Sequence, residues 1–115
     1  MDANPDFWAY LDALVAGGDL VIDRPKGSAH PRFPAIIYPM DYGYLAGTTS
    51  ADGGGIDVWV GSLGSARITA VACTVDLMKR DAEVKLLLGC TEDEIQTALR
   101  LMNSGRMRCL LIRRD

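Results

Sequence analysis

Apolar residues in this chain come in short runs, and most are cut off by Gly, Pro, Ser or Asp before they reach helical length. Leu20 to Ile22, Ala35 to Tyr38, Ile56 to Val60, Arg67 to Val75 and Glu83 to Leu88 are such runs. Their β-branched and aliphatic content predicts short strands wrapped into a small barrel or sandwich. Two segments break the pattern. Asn4 and Pro5 offer an N-cap and a first helical position, and Phe7, Trp8, Leu11, Leu14 and Val15 recur at helical spacing until Gly17-Gly18. Thr91-Glu92-Asp93-Glu94 reads as a capping box for a second helix carrying Ile95, Ala98, Leu99 and Met102, stopped by Asn103-Ser104-Gly105. Met107 to Ile112 then reads as a final strand. The expectation is a mainly β fold with flanking helices (α+β), one domain over residues 1–115.

Composition narrows the function classes. With 115 residues of which 49% are hydrophobic, the chain can bury one core, and no apolar run is long enough to span a bilayer. A net charge of −3 disfavours nucleic acid and anionic membranes as partners, since both rely on clustered positive charge. The opening Met-Asp-Ala-Asn-Pro-Asp lacks the basic and apolar regions of a secretory signal, so a cytoplasmic location is expected. Cys73, Cys90 and Cys109 are odd in number and set among aliphatic residues, which suits reduced core thiols. Trp8 and Trp59 read as core anchors, because no basic groove accompanies them.

The chemistry concentrates between Tyr38 and Asp57. Tyr38, Tyr42 and Tyr44 can supply phenolic hydrogen bonds, and Asp52-Gly53-Gly54-Gly55-Ile56-Asp57 sets two carboxylates around three glycines. Asp52 and Asp57 across a glycine turn can converge, and their mutual repulsion favours a cation between them. On composition alone Asp-Gly-Gly-Gly is a tight turn. Its pairing with Tyr38-Pro39 and Tyr42 raises the metal reading.

This combination resembles the soluble inorganic pyrophosphatases of the OB-barrel type, which carry Tyr-Pro-x-Asn-Tyr-Gly-Tyr and then Asp-Gly-Asp-Pro-x-Asp before a Val-rich strand. The resemblance covers roughly Leu20 to Leu88, and five strands suit an OB-like barrel. It implies Mg-dependent hydrolysis of pyrophosphate, or a related phosphoanhydride, with manganese as a substitute ion. Carried over by position, Asp23, Arg32, Tyr38, Tyr42 and Lys85 would contact substrate, with Arg32, Tyr42 and Lys85 acting in catalysis, while Asp52, Asp57 and Glu83 would hold metal. Asp41 stands where the family has Asn. The departures matter as much as the matches. Gly54 replaces the loop's middle aspartate, which in the family helps deprotonate the attacking water, and a positioned base is worth on the order of a hundred- to ten-thousand-fold in rate. Pro34-Ala35-Ile36-Ile37 replaces a hairpin that bears a phosphate-binding arginine, and Met102-Asn103-Ser104 replaces a late Tyr-Lys pair. Anchoring on Lys85 sets Lys79 and Arg80 where two acids are usual, while a shifted alignment brings in Asp76 or Asp81.

Three readings follow: a slow pyrophosphatase, a non-catalytic relative that keeps a phosphate or metal site or works by self-association, and an OB-type nucleic-acid binder, which the acidic balance makes the weakest. Loss of covering segments also leaves Ile36-Ile37 and Leu110-Leu111-Ile112 in search of burial, so a homo-oligomer is expected. His30, the only histidine, has no second histidine with which to share a metal and is read as a loop residue.

Overall fold

The computed structural model describes residues 5–115. Helix α1 (Pro5–Ala16) leads into strands β1 (Asp19–Arg24), β2 (Asp41–Ala46), β3 (Ile56–Val60), β4 (Ile68–Asp76) and β5 (Asp81–Leu88), followed by α2 (Glu92–Met102) and β6 (Met107–Arg113). All six strands form one sheet in the order β1-β2-β3-β5-β4-β6. Only β3 and β5 run parallel; the other neighbours are antiparallel. The mainly β architecture with flanking helices is as expected. It is an open sheet of six strands, with β1 and β6 at its edges, rather than a closed barrel of five. The proposed Asn4 cap lies outside the described residues. No helix among the described residues is long and apolar enough to cross a membrane.

Each helix covers one face of the sheet. On one face Tyr42, Trp59, Ala72 and Leu87 pack beneath Ile95, Ala98 and Met102 of α2. On the other, Leu45, Val58, Val71 and Leu86 pack with Trp8 and Val15 of α1. This is the period-two alternation of strands buried on both sides. The capping box forms as read: Thr91 Oγ1 accepts from the Glu94 N–H at 3.2 Å, and the Glu94 carboxylate accepts from the Thr91 N–H at 2.8 Å. Glu94 also accepts from the Ser62 N–H at 3.1 Å, tying the helix start to the end of β3.

Two expectations need correction. Ala35 to Tyr38 is not a strand; it is a loop with a single bridge between Ala29 and Ile37. Pro34 and Pro39 bracket it, and proline cannot donate to a ladder. The missing strand is Asp41–Ala46, whose Gly43 weakens strand propensity but is sterically required. A Cβ there would lie 1.8 Å from the Val21 carbonyl oxygen.

That close approach accompanies a bulge in β1. Ile22 faces Gly43 and Arg24 faces Tyr42, with Asp23 as the extra residue. A bulge turns the following side chain to the opposite face. Arg24 therefore shares a face with Tyr42, where unbroken alternation from Ile22 would have set Asp23.

Two predictions arise from this framework. Gly43→Ala should cost about 3 kcal/mol or more, because backbone rather than a flexible side chain must give way, with urea unfolding as the measurement. The second concerns Asp12, which fastens α1 by accepting from the Ile68 N–H at 3.0 Å and from the Arg114 guanidinium at 2.9 Å. Burial alone would raise the Asp12 pKa, but these donors outweigh it and hold the carboxyl below its ordinary value of 3.8. A depressed folded pKa contributes stability above the unfolded value and loses it as pH falls through the folded one. Asp12→Ala should thus cost about 1–3 kcal/mol at neutral pH, and its difference from the wild type should shrink progressively below pH 3.8.

Candidate functional site

The face under α2 carries a polar cluster built from three neighbouring strands. Lys85 on β5 is buried among apolar residues, and its ammonium donates to the Tyr42 hydroxyl of β2 at 2.8 Å, to Asp57 Oδ2 of β3 at 2.8 Å and to Glu83 Oε2 at 3.3 Å. The Tyr42 hydroxyl in turn donates to Asp57 Oδ2 at 2.8 Å. Burial works against the charge on Lys85, yet the phenol and the Asp57 carboxylate outweigh it and raise the ammonium pKa above its usual value. Burial, followed by the nearby Asp57 charge, keeps Tyr42 protonated well beyond the ordinary phenol range.

Aromatic rings wall the cluster. Tyr42 meets Trp59 edge-on with centroids 4.6 Å apart, and Tyr38 lies 5.4 Å from Tyr42. The Arg24 guanidinium, delivered by the β1 bulge, donates to the Tyr38 hydroxyl and sits 5.5 Å from the Tyr38 ring centre and 5.9 Å from that of Tyr42. Tyr38 also stacks on His30, 6.1 Å away at an interplanar angle of 12°. His30 Nδ1 accepts from the Arg32 and Phe33 N–H groups at 3.0 and 3.2 Å, which assigns the neutral ring's proton to Nε2. Burial and then the charges of Arg24, Arg32 and Lys79 hold the His30 pKa down. These cations border the same loop.

The glycine loop supplies the third part. Asp52 Oδ1 accepts from Ser50 Oγ at 2.7 Å and from the Gly54 N–H at 2.9 Å, an Asx-type turn. Those bonds, with the nearby Glu83 carboxyl acting in the same direction, hold Asp52 down to about 2. Glu83 moves the other way. Burial is the main cause raising its pKa, with Asp57 and Asp52 adding to it. Glu83 Oε1 has no hydrogen-bond partner among the described residues, and neither does the buried Trp59 Nε1 on the same face.

The structure thus brings together Tyr38, Tyr42, Asp57, Glu83 and Lys85, with Asp52 at the margin. Asp23 and Arg32 are exposed, and no side-chain hydrogen bond joins either to the cluster. Asp76 Oδ1 accepts from Met78 N and Lys79 N at the β4–β5 turn, and Asp81 pairs with Lys79 at 3.7 Å, so neither carboxylate belongs to the cluster. Arg24 is the residue that sequence reasoning missed. The resemblance points by position to Asp23, and the bulge sets its neighbour Arg24 against the tyrosines. All three cysteines are free; Cys90 is buried, which pushes its thiol up to about 12, and Cys73 and Cys109 are half-buried.

A divalent ion can be tested against this donor set. No three acidic, histidine or cysteine side chains among the described residues stand close enough to cage a cation. The Lys85 ammonium occupies the position between Asp57 and Glu83. Magnesium, however, is commonly held by one or two carboxylates, waters and phosphate oxygens. The neighbouring Asp52 and Glu83 carboxyls, with the orphaned Oε1 of Glu83, suit one such ion. They do not suit the several ions that a full pyrophosphatase cluster needs.

No protein-family model matches the chain, and no curated protein matches its sequence. Its backbone does find a counterpart. The crystal structure of an inorganic pyrophosphatase from Neisseria gonorrhoeae superposes with a TM-score of 0.59 over 82% of this chain and 81% of that one, at 19% identity. At that identity the likeness is one of fold, and the fold is inorganic pyrophosphatase-like.

Proposed function

We propose that the face between Arg24 and Lys85 binds a phosphate group, and that pyrophosphate or a related small phosphoanhydride is its substrate, hydrolysed slowly with magnesium or manganese. The observation that carries this reading is the convergence of a guanidinium, an ammonium and two phenols on one patch, with Arg24 and Lys85 both against the Tyr42 ring. Arg24, Arg32 and Lys79 add positive charge around His30, and an anion with several oxygens is the ligand such a border suits. Asp52 and Glu83 would hold the ion, with Asp57 kept on Lys85, and the ion would neutralise phosphate charge and acidify a bound water. Tyr42 and Lys85 would orient the phosphate, and Arg24 would supply the fork that the shortened hairpin lacks.

A second reading, binding without turnover, is favoured by position 54. Gly54 offers no carboxylate to a water, and Lys85 already has its three donors engaged with Tyr42, Asp57 and Glu83. The two readings separate on one substitution. A Cβ at Gly54 meets only the Asp52 side chain, at 3.3 Å, so Gly54→Asp can be accommodated. Phosphate release from pyrophosphate should be slow, abolished by EDTA, and raised about tenfold or more by Gly54→Asp. If neither protein releases phosphate at any magnesium or manganese concentration, the binding reading replaces the enzyme.

The role given to Arg24 has its own test. By calorimetry, Arg24→Ala should weaken pyrophosphate binding by about 10- to 150-fold, the range of a charged hydrogen bond. Asp23→Ala should leave affinity unchanged. Equal effects from the two substitutions would remove Arg24 from the site.

A further inference from the structure

The face opposite Tyr42 and Lys85 is only partly covered. Beside α1 runs an apolar groove of about 820 Å³ whose floor is Cys73, Val75, Val84, Leu86 and Leu110 and whose helix-side wall is Leu11. Val75, Val84 and Leu110 are 49%, 47% and 67% exposed, and Ile112 beside them is 46% exposed. A folded chain rarely leaves so many adjacent aliphatic side chains in water without a use for them.

The same surface carries a matching shape. Phe7, Tyr10 and Leu14 recur at i, i+3 and i+7 on α1, so they form one stripe, and all three are exposed, Tyr10 at 77%. On the helix, Leu11 falls between this stripe and the core-facing Trp8 and Val15. Because Leu11 is also the groove wall, the stripe stands on the groove side of α1. Ridge and groove therefore lie side by side on one face. That is the condition for an isologous contact, in which a two-fold axis between them sets each ridge into the partner's groove and the contact closes on itself. Charge agrees with shape. The charged residues of α1 are Asp6 and Asp12, with no base in the helix, and Asp12 is taken up by Arg114 of its own chain. The lip of the groove carries Arg108, whose guanidinium donates, among the described residues, to the backbone carbonyls of Gly105 and Met107.

We propose that this face is the interface of a symmetric homodimer in which α1 of each copy lies across the β4–β5–β6 groove of the other, its Phe7, Tyr10 and Leu14 covering Val75, Val84 and Leu110. A second copy is the partner because ridge, groove and opposite charges all belong to this one chain. Arg24, Tyr42 and Lys85 lie outside the groove, whereas Ser50, Ala51 and Glu83 border it.

Sedimentation equilibrium over a dilution series tests this, with Leu110→Glu and Tyr10→Glu as the variants. Both positions are exposed in the single chain, so far-UV circular dichroism should be unchanged for each. The wild type should be dimeric at micromolar concentration, and either charge in the interface should raise the dissociation constant by about 100-fold or more. Arg108→Glu should weaken the dimer as well, more at low salt than at high. A wild type that stays monomeric at hundreds of micromolar overturns the proposal, and so does a dimer indifferent to either of the two glutamates.

Discussion

A buried ammonium organises this molecule. Lys85 reaches across from β5 to Tyr42 on β2 and Asp57 on β3, so one side chain joins three strands through polar contacts. Removing a charge from water costs several kcal/mol unless its donors find acceptors and its sign is matched. Here the hydroxyl and two carboxylates meet all three donors. The arrangement tolerates no loss, since deleting any partner strands a charge beneath α2 and the aromatic rings. The requirement fixes which residues can occupy this face, and it makes the candidate site and the centre of the sheet the same object.

Local signals in the sequence held where the chemistry is local. The Thr91–Glu94 box carries its own hydrogen bonds within a single turn, so its geometry follows from spacing alone. The Lys85-centred contacts were legible only through the resemblance of Tyr38, Tyr42, Asp52, Asp57, Glu83 and Lys85 to a known pattern, because partners 28 and 43 residues apart leave no periodic trace. Two failures share a cause. The β2 strand was hidden by a glycine whose reason for existing is the Val21 backbone, more than twenty positions away. Arg24 was hidden by a bulge that shifts a strand by one residue, and alternation cannot register such a shift until the partner strand is in place.

The departures from the family pattern change in meaning once placed in space. Between Pro34 and Tyr38 the chain runs as a loop, and His30 stacks there against Tyr38. The guanidinium beside the tyrosines comes from β1 instead. Position 54 lies in a turn held by Asp52, where glycine costs the fold nothing and offers the chemistry nothing.

The strand order also sets the sequence of assembly. β4 and β5 are joined by a tight hairpin, with Asp76 opposite Asp81, and can pair soon after collapse. β3 must instead find β5 in parallel, with the whole of β4 lying between them along the chain. Non-local closure of that kind is slow relative to a hairpin. Glu83 and Lys85 therefore sit on an early-formed ribbon, while Asp57 and Tyr42 arrive with the β1–β3 half, so the polar cluster comes into being only at the step that joins the two. Any partial opening that releases β3 from β5 would take the cluster apart before it disturbs the β4–β5–β6 ribbon, so the polar contacts of Lys85 would go before most of the secondary structure does.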